Sequence, residues 1–234
     1  MKSIKLYHNH TEHENHLPVK IFNFTVCEDT QHIHYGDAIF DSKIEYIENI
    51  AGSYIDTGIK GSGGQRIECV FMPITKTTGW NCVYGARTTA GSKHDGIYIY
   101  SNTTSNNVGY VAYNTTATNN LAAAFASLNV KHTFIQDKGL FTLDGNTVKS
   151  HTNATFTCDK ATIYIFDGNN NGTRGNYKGF FRLYSFKIYN ASGVLVRYFV
   201  PVRVGSVGYL YDNVSKSLFG NVGTDAFVCG PDVY

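Results

Sequence analysis

The chain has little of what several functional classes require. Of its 234 residues only two are methionine and one is tryptophan, and no apolar run approaches the roughly 18 residues of a transmembrane helix. Lysine and arginine (20) nearly balance aspartate and glutamate (18), and they form no basic run. Because nucleic acid is recognised by a concentrated basic face, we expect no nucleic-acid partner. Because no apolar run is long enough to span a bilayer, we also expect no membrane insertion.

Cysteine is also too sparse for a structural framework. The five cysteines are an odd number without a C-x-x-C pair, which excludes a disulfide scaffold and a zinc site; they are Cys27, Cys69, Cys82, Cys158 and Cys229. We expect buried free thiols. The amino terminus lacks the apolar h-region of a secretory signal, so we expect folding in a reducing cytoplasm.

Tyrosine, phenylalanine, threonine, glycine and asparagine are abundant, a bias that favours sheets and turns over helices. The segment Ser185–Arg203 predicts two strands around the turn Asn190-Ala191-Ser192-Gly193, with Pro201 ending the second strand. The pair Asp144-Gly145 predicts a type I′ hairpin turn.

Similar β signals recur from Ile44 onward. They predict strands at Ile44–Ile47, Tyr54–Ile59, Gln65–Met72, Asn81–Arg87, Gly96–Tyr100, Val108–Tyr113, Lys131–Gln136, Leu140–Leu143, Thr147–Lys149, Ala161–Phe166, Gly208–Tyr211 and Ser217–Phe219. The polar stretches 102–107 and 114–120 are predicted to be loops at the outermost tips. Residues 44–234 are therefore expected to form an all-β, antiparallel, two-sheet jelly-roll sandwich.

Residues 1–43 differ from this pattern and are interpreted as an attachment arm. Within it Val19–Cys27 predicts a strand whose apolar face carries Phe22, Phe24 and Val26. Six of the nine histidines lie in the arm; they are His8, His10, His13, His16, His32 and His34. For the cluster His8–His16, a metal shared at an oligomer axis and pH-sensitive docking are both compatible with the sequence. A solvated or partner-bound polar arm is favoured, and we expect no resident metal or cofactor.

Candidate ligand contacts lie in loops rather than in strands. The loop from Asp167 to Gly172 offers Asp and Asn oxygens for Ca²⁺ or for sugar hydroxyls, although a turn held by its own side chains is favoured. Aromatic rings and arginines beside loops could add stacking and hydrogen bonds, with core packing and salt bridges as the alternatives. The candidate glycan contacts are Trp80, Arg87, Asp167, Asn169, Asn170, Asn171, Arg174 and Tyr177.

Four pieces of sequence carry a resemblance to a known family. They are IEYIENIAGSYIDTGI near residue 44, VYGART near 83, IFDGNNNG near 165, and SFKIYNASGVLVRYFVPVR followed by VGYLYDNVSKSLFGNVGT. In this order they resemble the concanavalin A-like (laminin G-like) sandwich modules of gut bacteria and their phages. The resemblance covers about residues 44–232. It implies a lectin-like domain at the exposed end of a fibre, tail or surface protein.

Glucanases that share this fold carry E-x-D-x-x-E on one strand, because two carboxylates must flank the scissile bond. The chain has no such motif and no glutamate after Glu68, while Glu45 and Glu48 would face opposite sides of a strand. We therefore expect no catalysis, although an unrelated aspartate pair stays open.

Together these points predict a structural phage virion protein, a head fibre or capsid decoration that adheres to glycans without catalysis. Residues 1–43 would attach it to the capsid or to other virion proteins, and a homo-oligomer is expected. The alternatives are a tail-associated receptor-binding protein, a glycan-degrading enzyme, or a decoration protein that binds no sugar.

Overall fold

The computed structural model describes residues 39–50, 52–76, 80–88, 96–102, 108–114, 116–121, 127–177 and 179–233. These residues form an all-β sandwich of two sheets and contain no helix. Accordingly, no helix within these ranges could cross a membrane. Among the described strands, one pair is parallel and the others are antiparallel.

The larger sheet contains eleven strands in the described part of the chain. Eight follow one another in the order β11 (Asn146–Ser150), β10 (Leu140–Leu143), β9 (His132–Asp137), β4 (Arg66–Lys76), β15 (Gly179–Tyr189), β16 (Leu195–Val204), β17 (Val207–Asp212) and β18 (Ser217–Phe219). Three short strands join this order from the side. β1 (Ser42–Lys43) pairs with β16, while β2 (Ile47–Glu48) pairs with β15 and with β19 (Val228–Cys229).

The smaller sheet contains eight described strands. Six lie in the order β14 (Thr173–Arg174), β13 (Gly168–Asn170), β5 (Trp80–Arg87), β6 (Gly96–Asn102), β7 (Val108–Asn114) and β8 (Thr116–Leu121). The other two are β12 (Thr157–Ile165), which pairs with β5 at one end, and β3 (Ile55–Ser62), which pairs with β12.

A continuous apolar core lies between the two sheets. Tyr84 of β5 and Phe186 of β15 are fully buried, with ring centroids 5.3 Å apart. The Tyr84 hydroxyl donates a hydrogen bond across the core to Oε1 of Gln136, at 3.1 Å. Burial of each large side chain contributes about 1.5–3 kcal/mol, so the alternation of apolar residues along the strands is what drives the layers together. Residues 40–234 pack as one compact unit.

Most of the predicted strands are confirmed, and so is the all-β sandwich. Asp144 and Gly145 have φ of 51° and 80°, as a type I′ turn requires. Asn190 closes the other predicted turn, because its Oδ1 accepts hydrogen bonds from the backbone N–H of Ser192 and of Val194 at 3.0 Å each. Cys69, Cys82 and Cys158 are buried free thiols, as expected, and Cys229 is a half-buried one.

Two details of the prediction are wrong. The stretch 114–120 is not a loop, since Thr116–Leu121 forms β8 and pairs with β7; backbone pairing needs no apolar side chain. Pro201 does not end β16, which runs on to Val204. Along one edge of β16, β15 pairs with residues up to Phe199, and β1 pairs with Val202 and Arg203. Pro201 lies between these two partners, so its missing N–H breaks no ladder hydrogen bond.

The predicted arm lies mostly outside the described residues, including Phe22, Phe24, Val26 and the histidines from His8 to His34. Its last two residues, Ser42 and Lys43, form β1 within the larger sheet.

Candidate functional site

The predicted polar loop is built into the smaller sheet. After β12 the chain reverses at Phe166, whose φ is 71°, and returns as β13 parallel to β5. The register pairs Gly168 with Gly85 and Asn170 with Arg87. The loop therefore forms a polar wedge, residues 166–174, beside the carboxyl-terminal end of β5.

Asp167 is the fully buried anchor of this wedge. Its Oδ1 accepts hydrogen bonds from the backbone N–H of Gly168 (2.7 Å) and of Tyr177 (3.0 Å), and its Oδ2 accepts one from Nε of Arg174 (2.6 Å). All of these contacts lie within the protein. The carboxylate thus holds the two ends of the loop together instead of facing solvent.

The asparagines of the wedge divide into structural and accessible ones. Asn169 is buried, where Oδ1 accepts from the backbone N–H of Gly172 and Nδ2 donates to Oγ1 of Thr162. Asn171 is exposed and left-handed, with φ of 55°. The turn that the sequence favoured is therefore confirmed, since side-chain hydrogen bonds and a left-handed residue shape it.

Arg87, Asn170 and Tyr177 come together on the outer face of the sheet and are half-buried. Nε of Arg87 donates to Oδ1 of Asn170 at 2.6 Å, and the Tyr177 side chain also hydrogen-bonds the Asn170 side chain. The Tyr177 ring packs on Cys82 and Ala112. Burial is the main reason that the pKa of Tyr177 lies above its ordinary value of 10.0, so the phenol is neutral at physiological pH.

Trp80 lies at the other end of the same strand. It is the first residue of β5 and is 40% exposed. Trp80 and Cys82 share a face because they are two residues apart on a strand, and Trp80 lies about 23 Å from Arg87 along β5 at about 3.3 Å per residue. A register shift between Cys82 and Tyr84 brings Arg87 back to this face, on the side away from the core residues Tyr84 and Ala86. Trp80, Tyr177 and Arg87 therefore lie along one strip, which we call the β5 strip, rather than around one point.

Arg174 forms an ion pair with Asp167, the alternative to a glycan contact, and it also lies over an aromatic ring. Its guanidinium carbon lies 5.0 Å from the ring centroid of Tyr54, and that ring packs against Tyr164 at 4.8 Å. This aromatic pair was not predicted as part of the site. Both tyrosines occur in segments recognised as strands, where a ring on the outer face cannot be distinguished from a core ring by residue type.

Register places further tyrosines beside the β5 strip. Tyr98 of β6 lies opposite Gly85, and Tyr100 lies opposite Cys82 and, on its other side, opposite Tyr110 of β7. The register thus places small residues on both sides of Tyr98, and a small residue and a tyrosine on the two sides of Tyr100. Which positions lie opposite one another became known only with the strand pairing.

No protein-family model and no curated protein matches the chain. Among solved structures, it is similar to a candidate carbohydrate-binding protein from Bacteroides ovatus, with a TM-score of 0.55 and 10% sequence identity. The match covers 82% of this chain, and the chain spans 61% of the length of that protein. At this identity the likeness shows a shared β-sandwich fold.

Proposed function

We propose that this protein binds glycans without catalysis, through the β5 strip of the smaller sheet. The observation that carries the proposal is the fixed Tyr177 ring, held against Cys82 and Ala112 and bonded to Asn170, which in turn holds Arg87. Pyranose C–H faces stack on such rings, while amide and guanidinium groups bind hydroxyls. The carbohydrate-binding assignment of the Bacteroides ovatus protein supports the same function.

Binding to the β5 strip can be followed directly because Trp80 is the only tryptophan. We expect the full chain to bind glycans on a glycan array. Polysaccharides that carry the bound glycans should change the Trp80 fluorescence when they are added to the protein. Tyr177→Ala should weaken binding about tenfold, the loss of one well-placed stacking and hydrogen-bonding group. Tyr211→Ala, a half-buried tyrosine of the other sheet, is the matched control. An array without signal above background would refute the proposal.

We propose that the protein is not catalytic because its described glutamates are held in ion pairs. Glutamates Glu45, Glu48 and Glu68 each form an ion pair with lysine or arginine. A retaining glycosidase needs two carboxyl groups about 5–5.5 Å apart on either side of the bond. Incubation with the polysaccharides that hit on the array should release no new reducing ends. Time-dependent release would favour the alternative of a glycan-degrading enzyme.

We further propose a place on a phage particle, as a head fibre or capsid decoration, with a tail-associated receptor-binding protein as the nearest variant. The support is the sequence resemblance of residues 44–232 to modules of phage and gut-bacterial surface proteins. Residues 1–43, with Phe22, Phe24 and Val26, would contact capsid or other virion proteins and would assemble a homo-oligomer.

The attachment proposal needs a deletion that spares the sandwich. Because Ser42 and Lys43 pair with β16, the deletion should remove residues 1–38 only. We expect the shortened protein to fold but to be absent from purified particles. Its incorporation at the wild-type level would show that the arm does not attach it.

A further inference from the structure

A second polar cleft lies at one end of the larger sheet, away from the β5 strip. Three turns surround it: Gly64 between β3 and β4, Lys138 between β9 and β10, and residues 190–193 between β15 and β16. Its volume is about 520 Å³, within the range of small-ligand sites. The floor is formed by side chains on the outer face of β4 and β15.

The charges of this turn cleft are balanced and ordered. Arg66 contacts Glu68 through Nη2 at 2.8 Å and Asp137 through Nη1 at 3.2 Å. Glu68 also pairs with Lys187 at 3.3 Å. Among the lining residues, Arg66 and Lys138 offset Glu68 and Asp137. A cleft without net charge gives no advantage to an anionic or a cationic ligand.

Two groups in the cleft are available to a ligand. The Asp137 side chain is 42% exposed, and among described residues only its Oδ2 is engaged, so Oδ1 can accept hydrogen bonds. Tyr189 is half-buried at the end of β15, with its ring centroid 5.9 Å from the Arg66 guanidinium carbon. The carboxylate and the ring lie on either side of Arg66, which pairs in register with both residues. A hexose can use both, because its hydroxyls donate to a carboxylate oxygen and its C–H face stacks on an aromatic ring.

The wall of the turn cleft is preformed. Asn190 closes the 190–193 turn through its two backbone hydrogen bonds, and Gly193 has φ of 78°. Ala191 lies so close to Gly64 that a Cβ on that glycine would sit 3.1 Å from the alanine methyl. A ligand therefore finds the site already ordered, which lowers the entropic cost of binding.

We propose that the turn cleft is a second glycan site, which takes a neutral hexose unit of a polysaccharide. Asp137 Oδ1 accepts the sugar hydroxyls, Arg66 donates to a neighbouring oxygen, and the ring stacks on Tyr189. This inference rests on the proposed function, glycan binding, and adds a site on the opposite sheet from the β5 strip. One domain could then engage two sugar chains at once.

The test is affinity electrophoresis of the full chain in gels that contain laminarin, dextran, yeast mannan or polygalacturonate. We expect retardation by at least one of the three neutral polymers. Asp137→Ala and Tyr189→Ala should weaken it about tenfold or more, as loss of a charged hydrogen bond or of a stacking ring does, while Tyr189→Phe keeps it. Asp232→Ala, which breaks the Arg203–Asp232 ion pair elsewhere, is the matched control and should behave as wild type.

Each other outcome overturns the inference. If the wild type is retarded and Asp137→Ala is retarded equally, the turn cleft is not a site, although the proposed function stands. Retardation by polygalacturonate alone would contradict the neutral class of ligand. Retardation by none of the four polymers rejects the second site, and the glycan array then decides separately whether the proposed function fails too.

Discussion

Removal of the Asp167 carboxylate tests whether the polar wedge is a structural device or a ligand-facing loop. The carboxylate is fully buried and joins three partners, which are the backbone N–H groups of Gly168 and Tyr177 and Nε of Arg174. Asp167→Ala leaves both N–H groups without their acceptor and the guanidinium without its counter-ion.

The magnitude follows from these partners. Each buried N–H left unpaired costs about 1–3 kcal/mol, and breaking a buried ion pair from one side costs about 3–5 kcal/mol. Because Arg174 is partly exposed, its guanidinium regains water and the full ion-pair cost does not apply. The two unpaired N–H groups then dominate, and we expect Asp167→Ala to lower the free energy of unfolding by about 3–5 kcal/mol in total. Arg174→Ala should cost less, since the carboxylate keeps its two N–H donors. The double variant should show a coupling of about 1–3 kcal/mol.

The assay is urea unfolding of the wild type, the two single variants and the double variant, followed by far-ultraviolet circular dichroism. Asp232→Ala is the control, because it also removes an aspartate from an arginine but at a solvated pair, and its loss should be the smallest of the single changes. The reasoning is refuted if Asp167→Ala costs less than about 1 kcal/mol, the lower bound for a single unpaired N–H. The reasoning is refuted equally if Asp167→Ala unfolds in one cooperative transition but the double variant shows no coupling energy between positions 167 and 174.

Three further predictions follow from buried or crowded groups. Burial by itself raises the pKa of Asp212, but hydrogen bonds from backbone N–H groups and a serine hydroxyl hold it below its ordinary value of 3.8. Because the pKa of Asp212 is lower in the folded than in the unfolded state, its stabilisation is complete above pH 3.8 and is lost as pH falls through the folded-state pKa. The urea midpoint of the wild type should therefore fall on acidification, and that of Asp212→Asn should fall less. Gly175→Ala would place a Cβ 2.5 Å from the Tyr177 ring, so it should destabilise the fold by about 1–3 kcal/mol and weaken glycan binding, measured by urea unfolding and by Trp80 fluorescence. Burial raises the pKa of the Cys69 and Cys82 thiols most, so in the native protein Cys229 should react with a thiol reagent before Cys69, Cys82 and Cys158, as peptide mapping can show.

The sandwich could be predicted because its signals are local. Period-two alternation and turn residues are properties of short segments, and they located the 185–203 hairpin and the Asp144-Gly145 turn. β8 was not predicted because its sequence carries no local strand signal. Its polar sequence carries no apolar alternation, and its pairing with β7 depends on a neighbour that the sequence does not specify.

The site could be predicted only as a set of residue types. Asp167 and Asn169 were candidate ligands by chemistry, yet both are buried in the wedge, and nothing in the local sequence separates them from the exposed Asn171. Which oxygens face solvent is decided by the parallel pairing of β13 with β5, a long-range feature. The turn cleft was invisible for the same reason, because Arg66, Asp137 and Tyr189 are brought together only by the pairing of three distant strands.

The division of the wedge into buried and exposed groups has a consequence for recognition. Asp167 and Asn169 use their oxygens to hold the backbone, so a glycan at the proposed site would find few contacts in this loop, chiefly from Asn170 and Asn171. Few contacts give weak binding at one site, but a preordered loop loses little entropy when a sugar binds. Under the proposed glycan-binding function, useful adhesion would then come from several sites acting together, either the two proposed sites of one domain or many copies on one particle. The polysaccharide affinity of an array of copies should therefore far exceed that of the single domain for a monosaccharide, whereas equal affinities would show that one site suffices.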